Sequence, residues 1–255
     1  MTSVAKKHSA VQAMLSFESE GMRSHQEDHL LADSERGIFI VADGFGGKIP
    51  GARASQSACE EVKGFLFKEA GDLDATLPFV LRSYFSLAGN VLFNALVHAN
   101  RKVTRANLGK SAHEKGGASL LAGFIDGDLL AIANVGGCGA WIFRDGKVSE
   151  LILPRTYARL MNPTEASGLE SQRVPLMALG ISEDLEPEIF ECRLQKGDWV
   201  LLSTDGILDS FSEIRNSLQT WQKAELKAPE VIRALETAFK SKQFKDNISV
   251  LFTIF

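Results

Sequence analysis

No stretch of the 255 residues reaches the roughly 18 consecutive apolar residues that a membrane span needs, and Met1 to Ala10 carries lysines with no apolar segment behind them. A cytoplasmic protein with no membrane partner is therefore expected. An excess of positive charge is missing as well: 28 Lys and Arg stand against 32 Asp and Glu, a formal net charge of −4. Without a basic stripe, nucleic acid is not an expected partner. Cysteine is scarce. Cys59, Cys138 and Cys192 are an odd set at wide spacing, which suggests neither a disulfide framework nor a zinc cluster and leaves buried thiols. Repeats of roughly 20–50 residues are also absent.

What remains is 45% hydrophobic and 24% charged, enough to bury one sizeable core, so residues 1–255 read as a single domain. Val11, Ala13, Leu15 and Phe17 alternate with polar residues, and His29 to Ala32 and Ile38 to Ala42 are short apolar runs around a polar turn; three strands are expected. Ala54, Ala58, Val62, Phe65 and Leu66 keep helical spacing up to Gly71. A second helix is expected from Pro78 through Leu81, Phe85, Ala88, Leu92, Leu96, Ala99 and Val103. From Ala118 to Leu153 the period falls to two, punctuated by Asp126-Gly127 and Asp145-Gly146, which predicts a meander of antiparallel strands. Residues 154–176 read as a surface loop. Strands at Phe190 to Leu194 and Trp199 to Thr204, two more helical patterns, and a closing strand from Asn247 to Phe255 complete the chain. Strands in runs and helices in pairs imply an α+β fold with antiparallel sheets and helices outside.

The carboxylates separate by context. Of the Asp-Gly dipeptides, those at 126 and 145 lie between alternating strands and read as hairpin turns. Asp43 and Asp205 instead end the continuous apolar runs IFIVA and WVLLST, each leading into a helical pattern. A carboxylate at the end of a buried strand loses solvation and calls for a partner or a cation. Glu27-Asp28, in a short link between two strands, and Asp246, at the opening of the last strand, complete an oxygen-rich set suited to Mg²⁺ or Mn²⁺.

In order along the chain stand Arg23-x-x-x-Glu27-Asp28, VADGFGG at 41–47, GGAS at 116–119, ANVGGCGAW at 133–141, PLMALG at 175–180, LLSTDGILD at 201–209 and DNIS at 246–249. This ordered set resembles the metal-dependent type 2C (PPM) Ser/Thr protein phosphatases, in particular their compact bacterial members. The resemblance implies a four-layer αββα sandwich, two antiparallel β-sheets flanked by helix pairs. It implies hydrolysis of phosphoserine and phosphothreonine by water activated between two Mn²⁺ or Mg²⁺ ions, in signalling that opposes a Ser/Thr kinase. By the family pattern Asp43 bridges both ions, Asp205 and Asp246 hold the first, Glu27 and the Gly44 carbonyl hold the second, and Asp28 supports the cluster from behind. Arg23 takes the substrate's phosphate oxygens, so Arg23 and Asp43 are the expected catalytic pair. Glu114 matches a third-metal position, with a helix-end carboxylate as the alternative reading; His113 beside it reads as a surface residue.

Two departures bear on activity. Phe45 stands where many eukaryotic members carry a proton-donating histidine. Gly137-Cys138-Gly139 replaces the usual Asp-Ser-Arg of V-G-D-S-R, which keeps open a catalytically weak regulatory or binding module on the same fold. A nucleotide site on GFGGK is disfavoured, because its spacing matches neither G-x-G-x-x-G nor G-x-x-x-x-G-K-[ST]. Arg155, Arg159 and Arg173 in the surface loop are candidates for attracting an acidic substrate segment, against the plainer reading of solvated charges.

Overall fold

In the computed structural model, residues 11–69, 80–161 and 174–255 are described; Gly71, Pro78, Arg173 and residues 1–10 lie outside them. The strands are β1 Ala13–Ser19, β2 Asp28–Asp33, β3 Ile38–Phe45, β4 Gly117–Asp126, β5 Leu129–Val135, β6 Gly139–Arg144, β7 Lys147–Ile152, β8 Glu188–Arg193, β9 Trp199–Ser203 and β10 Ile248–Ile254. The helices are α1 Lys48–Glu69, α2 Leu87–Asn107, α3 Tyr157–Met161, α4 Phe211–Lys223 and α5 Ala228–Ser241, with 3₁₀ turns at Ala112–Glu114 and Asp205–Ser210. One antiparallel sheet has the order β1-β10-β9-β6-β7 and the other β2-β3-β4-β5-β8.

The continuous apolar runs are explained by burial on both faces. Along β3, Ile38, Ile40 and Ala42 pack under α1 and α2, while Phe39 and Val41 face the opposite sheet. β10 does the same with Val250, Phe252 and Ile254 toward α4 and α5 and Leu251 toward the sheet interface. Three apolar layers thus separate four layers of secondary structure, the expected αββα arrangement.

The predicted meander is corrected. β4 and β5 pair in one sheet, β6 and β7 pair in the other, and Gly136-Gly137-Cys138 carries the chain across. Period-two alternation reports exposure of faces and is blind to which sheet a strand joins. The crossing is sharp: Gly136 has φ +101°, and a Cβ there would overlap the Ser119 side chain. Both predicted hairpin turns are present, with Asp145 and Gly146 at φ 53° and 68°.

α2 also starts later than the periodicity predicts. Ser86 caps it, its hydroxyl accepting from Gly89 N at 3.1 Å while Glu191 on β8 accepts from the Ser86 amide and hydroxyl. Asn90 closes back on Arg82, accepting from its amide at 2.7 Å and donating to its carbonyl at 3.0 Å. Leu81 and Phe85 therefore precede the helix. In the predicted loop 154–176, α3 forms and Thr156 bridges to Pro175.

Leu121 is fully buried between the sheets. Leu121→Ala is expected to lower unfolding free energy by about 2–5 kcal/mol in urea titration, through lost transfer energy plus the remaining cavity; a loss below about 1 kcal/mol would show that the interface closes over the gap.

Candidate metal centre

The strand ends assemble the carboxylates. Asp28 opens β2 directly opposite Asp43 on β3, and Asp43 is in turn opposite Ser119 on β4. From the other sheet, Asp205 follows β9 and Asp246 precedes β10. Four aspartates from both sheets thus meet at one end of the sandwich. Asp28 is only 5% exposed, and burial followed by the charges of Asp205 and Asp246 raises its pKa to about 8, against the lowering effect of the Thr204 hydrogen bond. Asp43 is raised well above the carboxylate range, first by burial and then by the charges of Asp205, Asp28 and Asp246. Its residue surface still reaches solvent, as expected at the floor of an open cleft.

Polar groups hold this crowd in place. Thr204 Oγ1 donates to Asp28 Oδ2 at 2.7 Å and accepts from Ser249 N at 2.9 Å. Asn247 is a clamp: its Oδ1 accepts from Glu27 N at 2.8 Å, and its Nδ2 donates to the Glu20 and His25 carbonyls at 2.9 and 3.0 Å. The Glu27 carbonyl accepts from Gly44 N at 3.1 Å and from Ser55 Oγ at 2.5 Å. Glycine is required at Gly44, where a Cβ would overlap the carbonyls of Gly51 and Glu27; a Cβ on Gly51 would displace the end of the Glu27 side chain.

Two candidate ligands are held by cationic or protonatable neighbours on one loop. Arg23 Nη2 donates to Asp246 Oδ2 at 2.6 Å, and His25 Nε2 lies 2.8 Å from Glu27 Oε1. Glu27 Oε2 is buried with no hydrogen-bond partner. Among the described residues, no three Asp, Glu, His or Cys side chains stand, as placed, in a group that could hold a metal ion. The donor set still fits a hard cation: an orphaned buried carboxylate oxygen, two carboxyls disfavoured as anions, and a Gly44 backbone with no Cβ in the way.

Glu114 is placed apart from this cluster. Its carboxylate caps the Ala112–Glu114 turn by accepting from the Ser111 amide at 3.0 Å and from the Ser111 hydroxyl, and it lines a groove between α1 and α2. Phe45 packs so closely on Gly117 that a Cβ there would meet its ring. In the altered crossover, Ser119 Oγ accepts from Gly137 N at 3.1 Å, and Cys138 is wholly buried, its thiol pushed far up by burial and by the Asp43 charge. Arg155 pairs with Glu188 and Arg159 with Glu150. Sequence reasoning missed Thr204, Asn247, Ser55 and His25; only the Asn-Ile-Ser tail of the last motif and the two-residue offset of His25 from Glu27 signalled any of them.

Residues 20–249 match the sequence model of the family described as Protein phosphatase 2C. The Serine/threonine protein phosphatase PstP of Mycobacterium tuberculosis is 26% identical over 239 residues, which is 90% of this chain and 42% of PstP; the chain thus spans less than half the length of that relative. Among solved structures, the PPM Ser-Thr phosphatase MsPP from Mycobacterium smegmatis, in complex with cacodylate, superposes with a TM-score of 0.73 at 22% identity, covering 96% of this chain and 99% of MsPP. The catalytic domain of PstP in complex with two manganese ions gives 0.72 at 22% identity over 95% and 97%. Stp1 from Staphylococcus aureus gives 0.74 at 17% identity over 96% and 95%. These likenesses establish the shared fold.

Because the folded pKa of Asp28 lies above its unfolded value, the fold favours its protonated form. That contribution is complete below about pH 4 and is lost as pH rises toward 8. In EDTA-treated protein, Asp28→Asn, neutral at every pH, is expected to raise Tm relative to wild type at pH 8 and to leave it nearly unchanged at pH 4. An equal difference at both pH values would contradict this.

Proposed function

The chain belongs to the protein phosphatase 2C family, and from that premise we infer that it hydrolyses phosphoserine and phosphothreonine in phosphoproteins with a pair of Mn²⁺ or Mg²⁺ ions. The observation that carries this reading is the gathering of Asp28, Asp43, Asp205 and Asp246 at one end of the sandwich, with Asp28 and Asp43 disfavoured as anions until a cation joins them. Asp43 would hold both ions, Asp205 and Asp246 one of them, and Glu27 with the Gly44 carbonyl the other. Bound there, such a pair supplies Lewis acidity to a phosphate ester and to the attacking water.

The chain's own residues do the rest. Asp28, held by the Thr204 hydroxyl, backs Asp43 across the strand pair and would carry its negative charge once cations occupy the site. Asn247 ties the 20–27 segment to the start of β10, so that Arg23, Glu27 and Asp246 keep a common frame. Arg23, with a half-exposed side chain at the rim, presents a planar fork of donors that suits phosphate oxygens when it turns from Asp246. Phe45 carries no transferable proton, so the leaving alcohol takes its proton from water. A third cation at Glu114 would need that carboxylate to leave Ser111.

The proposal includes a cytoplasmic setting opposite a Ser/Thr kinase; among the described residues no helix is long and apolar enough to cross a membrane. A weakly catalytic regulatory module is the second reading, favoured by the Gly137-Cys138-Gly139 crossover. Its Asp and Arg losses fall where the chain changes sheets, beside the carboxylates: Gly137 N donates to Ser119, the residue opposite Asp43, and the charges of Asp43, Asp28 and Asp205 reach the Cys138 thiol.

Phosphothreonine peptide hydrolysis is expected with Mn²⁺ and not in EDTA. Manganese binding by calorimetry without turnover would instead support the regulatory module. Asp43→Asn and Asp205→Asn are each expected to reduce turnover to background while retaining the wild-type circular dichroism spectrum; full activity in either would remove the site assignment. Arg23→Ala is expected to raise KM for a phosphopeptide about tenfold, the scale of one charged hydrogen bond. An unchanged KM would make Arg23 structural.

A further inference from the structure

A groove of about 590 Å³ opens between the N-terminal end of α1 and the C-terminal end of α2. Its floor is apolar, with Ile49, Pro50, Val103 and Ala106, and Ile49 is 58% exposed. Its walls carry the exposed Arg53 and Lys110. The two stretches that supply its lining, 45–57 and 101–116, hold seven Lys and Arg against one carboxylate, Glu114, and of these charged groups Arg53, Lys110 and Glu114 line the groove itself. Glu114 is already engaged by Ser111, and the first turn of α1 has no acidic residue. Close glycine contacts weld this groove to the metal centre: a Cβ on Gly116 would overlap the Pro50 carbonyl, and one on Gly46 the Lys115 carbonyl. Only Gly44 to Gly47 separate Asp43 from the start of α1.

We propose that this groove docks an acidic segment of the phosphoprotein substrate, flanking the phosphorylated residue and carrying an aliphatic or aromatic anchor. The inference rests on the phosphatase reading for its occupant, though not for its test. Arg53 and Lys110 receive the Asp and Glu side chains, and the anchor covers Ile49, Pro50 and Val103. An acidic substrate segment is repelled by the carboxylate cleft alone, so a basic apolar groove beside that cleft supplies the attraction that brings the phosphorylated residue in.

A fluorescein-labelled, unphosphorylated peptide rich in Asp and Glu with one Leu, titrated with the protein at low ionic strength and followed by anisotropy, is the direct test. Binding is expected to weaken about tenfold or more in the double variant Arg53→Glu/Lys110→Glu, and several-fold when the peptide's Leu is replaced by Ser. The control Lys196→Glu/Lys223→Glu reverses equally exposed charges along a polar groove at the β6–β7 turn and is expected to leave binding unchanged. Equal affinity for the acidic peptide and a Lys/Ser counterpart, no loss in the groove variant, or an equal loss in the control would each overturn the proposal, the last by assigning the effect to net charge. Turnover of a small aryl phosphate with Mn²⁺ is expected to be the same in wild type and groove variant. No turnover in either would remove the phosphatase reading and leave the anisotropy result standing.

Discussion

Crowding like charges at the seam between two sheets is the constraint around which the molecule is arranged. Asp28 and Asp43 face each other across adjacent strands, and Asp205 and Asp246 approach from the opposite sheet. Burial and mutual repulsion push the first two toward their protonated forms. Such an arrangement is costly for an isolated polypeptide and favourable around a divalent cation. The site therefore stores, in the fold itself, the electrostatic preference for the ions that the family reading assigns to it.

The surrounding architecture serves that end of the sandwich. Apolar packing on both faces of β3, β9 and β10 fixes where these strands lie, and each has a carboxylate at the same end of the sandwich: Asp43 near the end of β3, Asp205 after β9 and Asp246 before β10. Asn247, Thr204 and Ser55 then satisfy the backbone and side-chain groups that the strand ends leave open. Gly44 lets its backbone approach the carbonyls of Glu27 and Gly51 where any Cβ would intrude. Loop 20–27 carries Arg23, His25 and Glu27 on one frame, so a single short segment places a guanidinium against Asp246 and an imidazole against the Glu27 carboxylate. The charge of the surface divides in the same region: an acidic cleft stands beside a basic, apolar groove, two fields of opposite sign joined through the glycines of 44–47 and 116–117.

A layered α+β fold was legible because strands buried on both faces read as continuous apolar runs, and the count of four layers came from the family resemblance; the site was legible because Asp-Gly after such a run has a different meaning from Asp-Gly between alternating strands. Sheet membership was not. Alternation from Ala118 to Leu153 is equally compatible with one meander and with two hairpins in different sheets, and the Gly136–Cys138 crossing decided it. The start of α2 was misplaced because Leu81 and Phe85 happen to keep helical phase, whereas Ser86 and its distant partner Glu191 set the boundary.

The sequence by itself determined the order of the main strands and helices, the doubly buried strands and the carboxylates at their ends, since these depend on local hydrophobic period and on residue chemistry. Tertiary structure alone decided which carboxylates share a field, that Arg23 rests on Asp246, and that two stretches some 50 residues apart form one groove. Those outcomes depend on distances between segments remote in the chain, and periodicity along a chain carries no information about them.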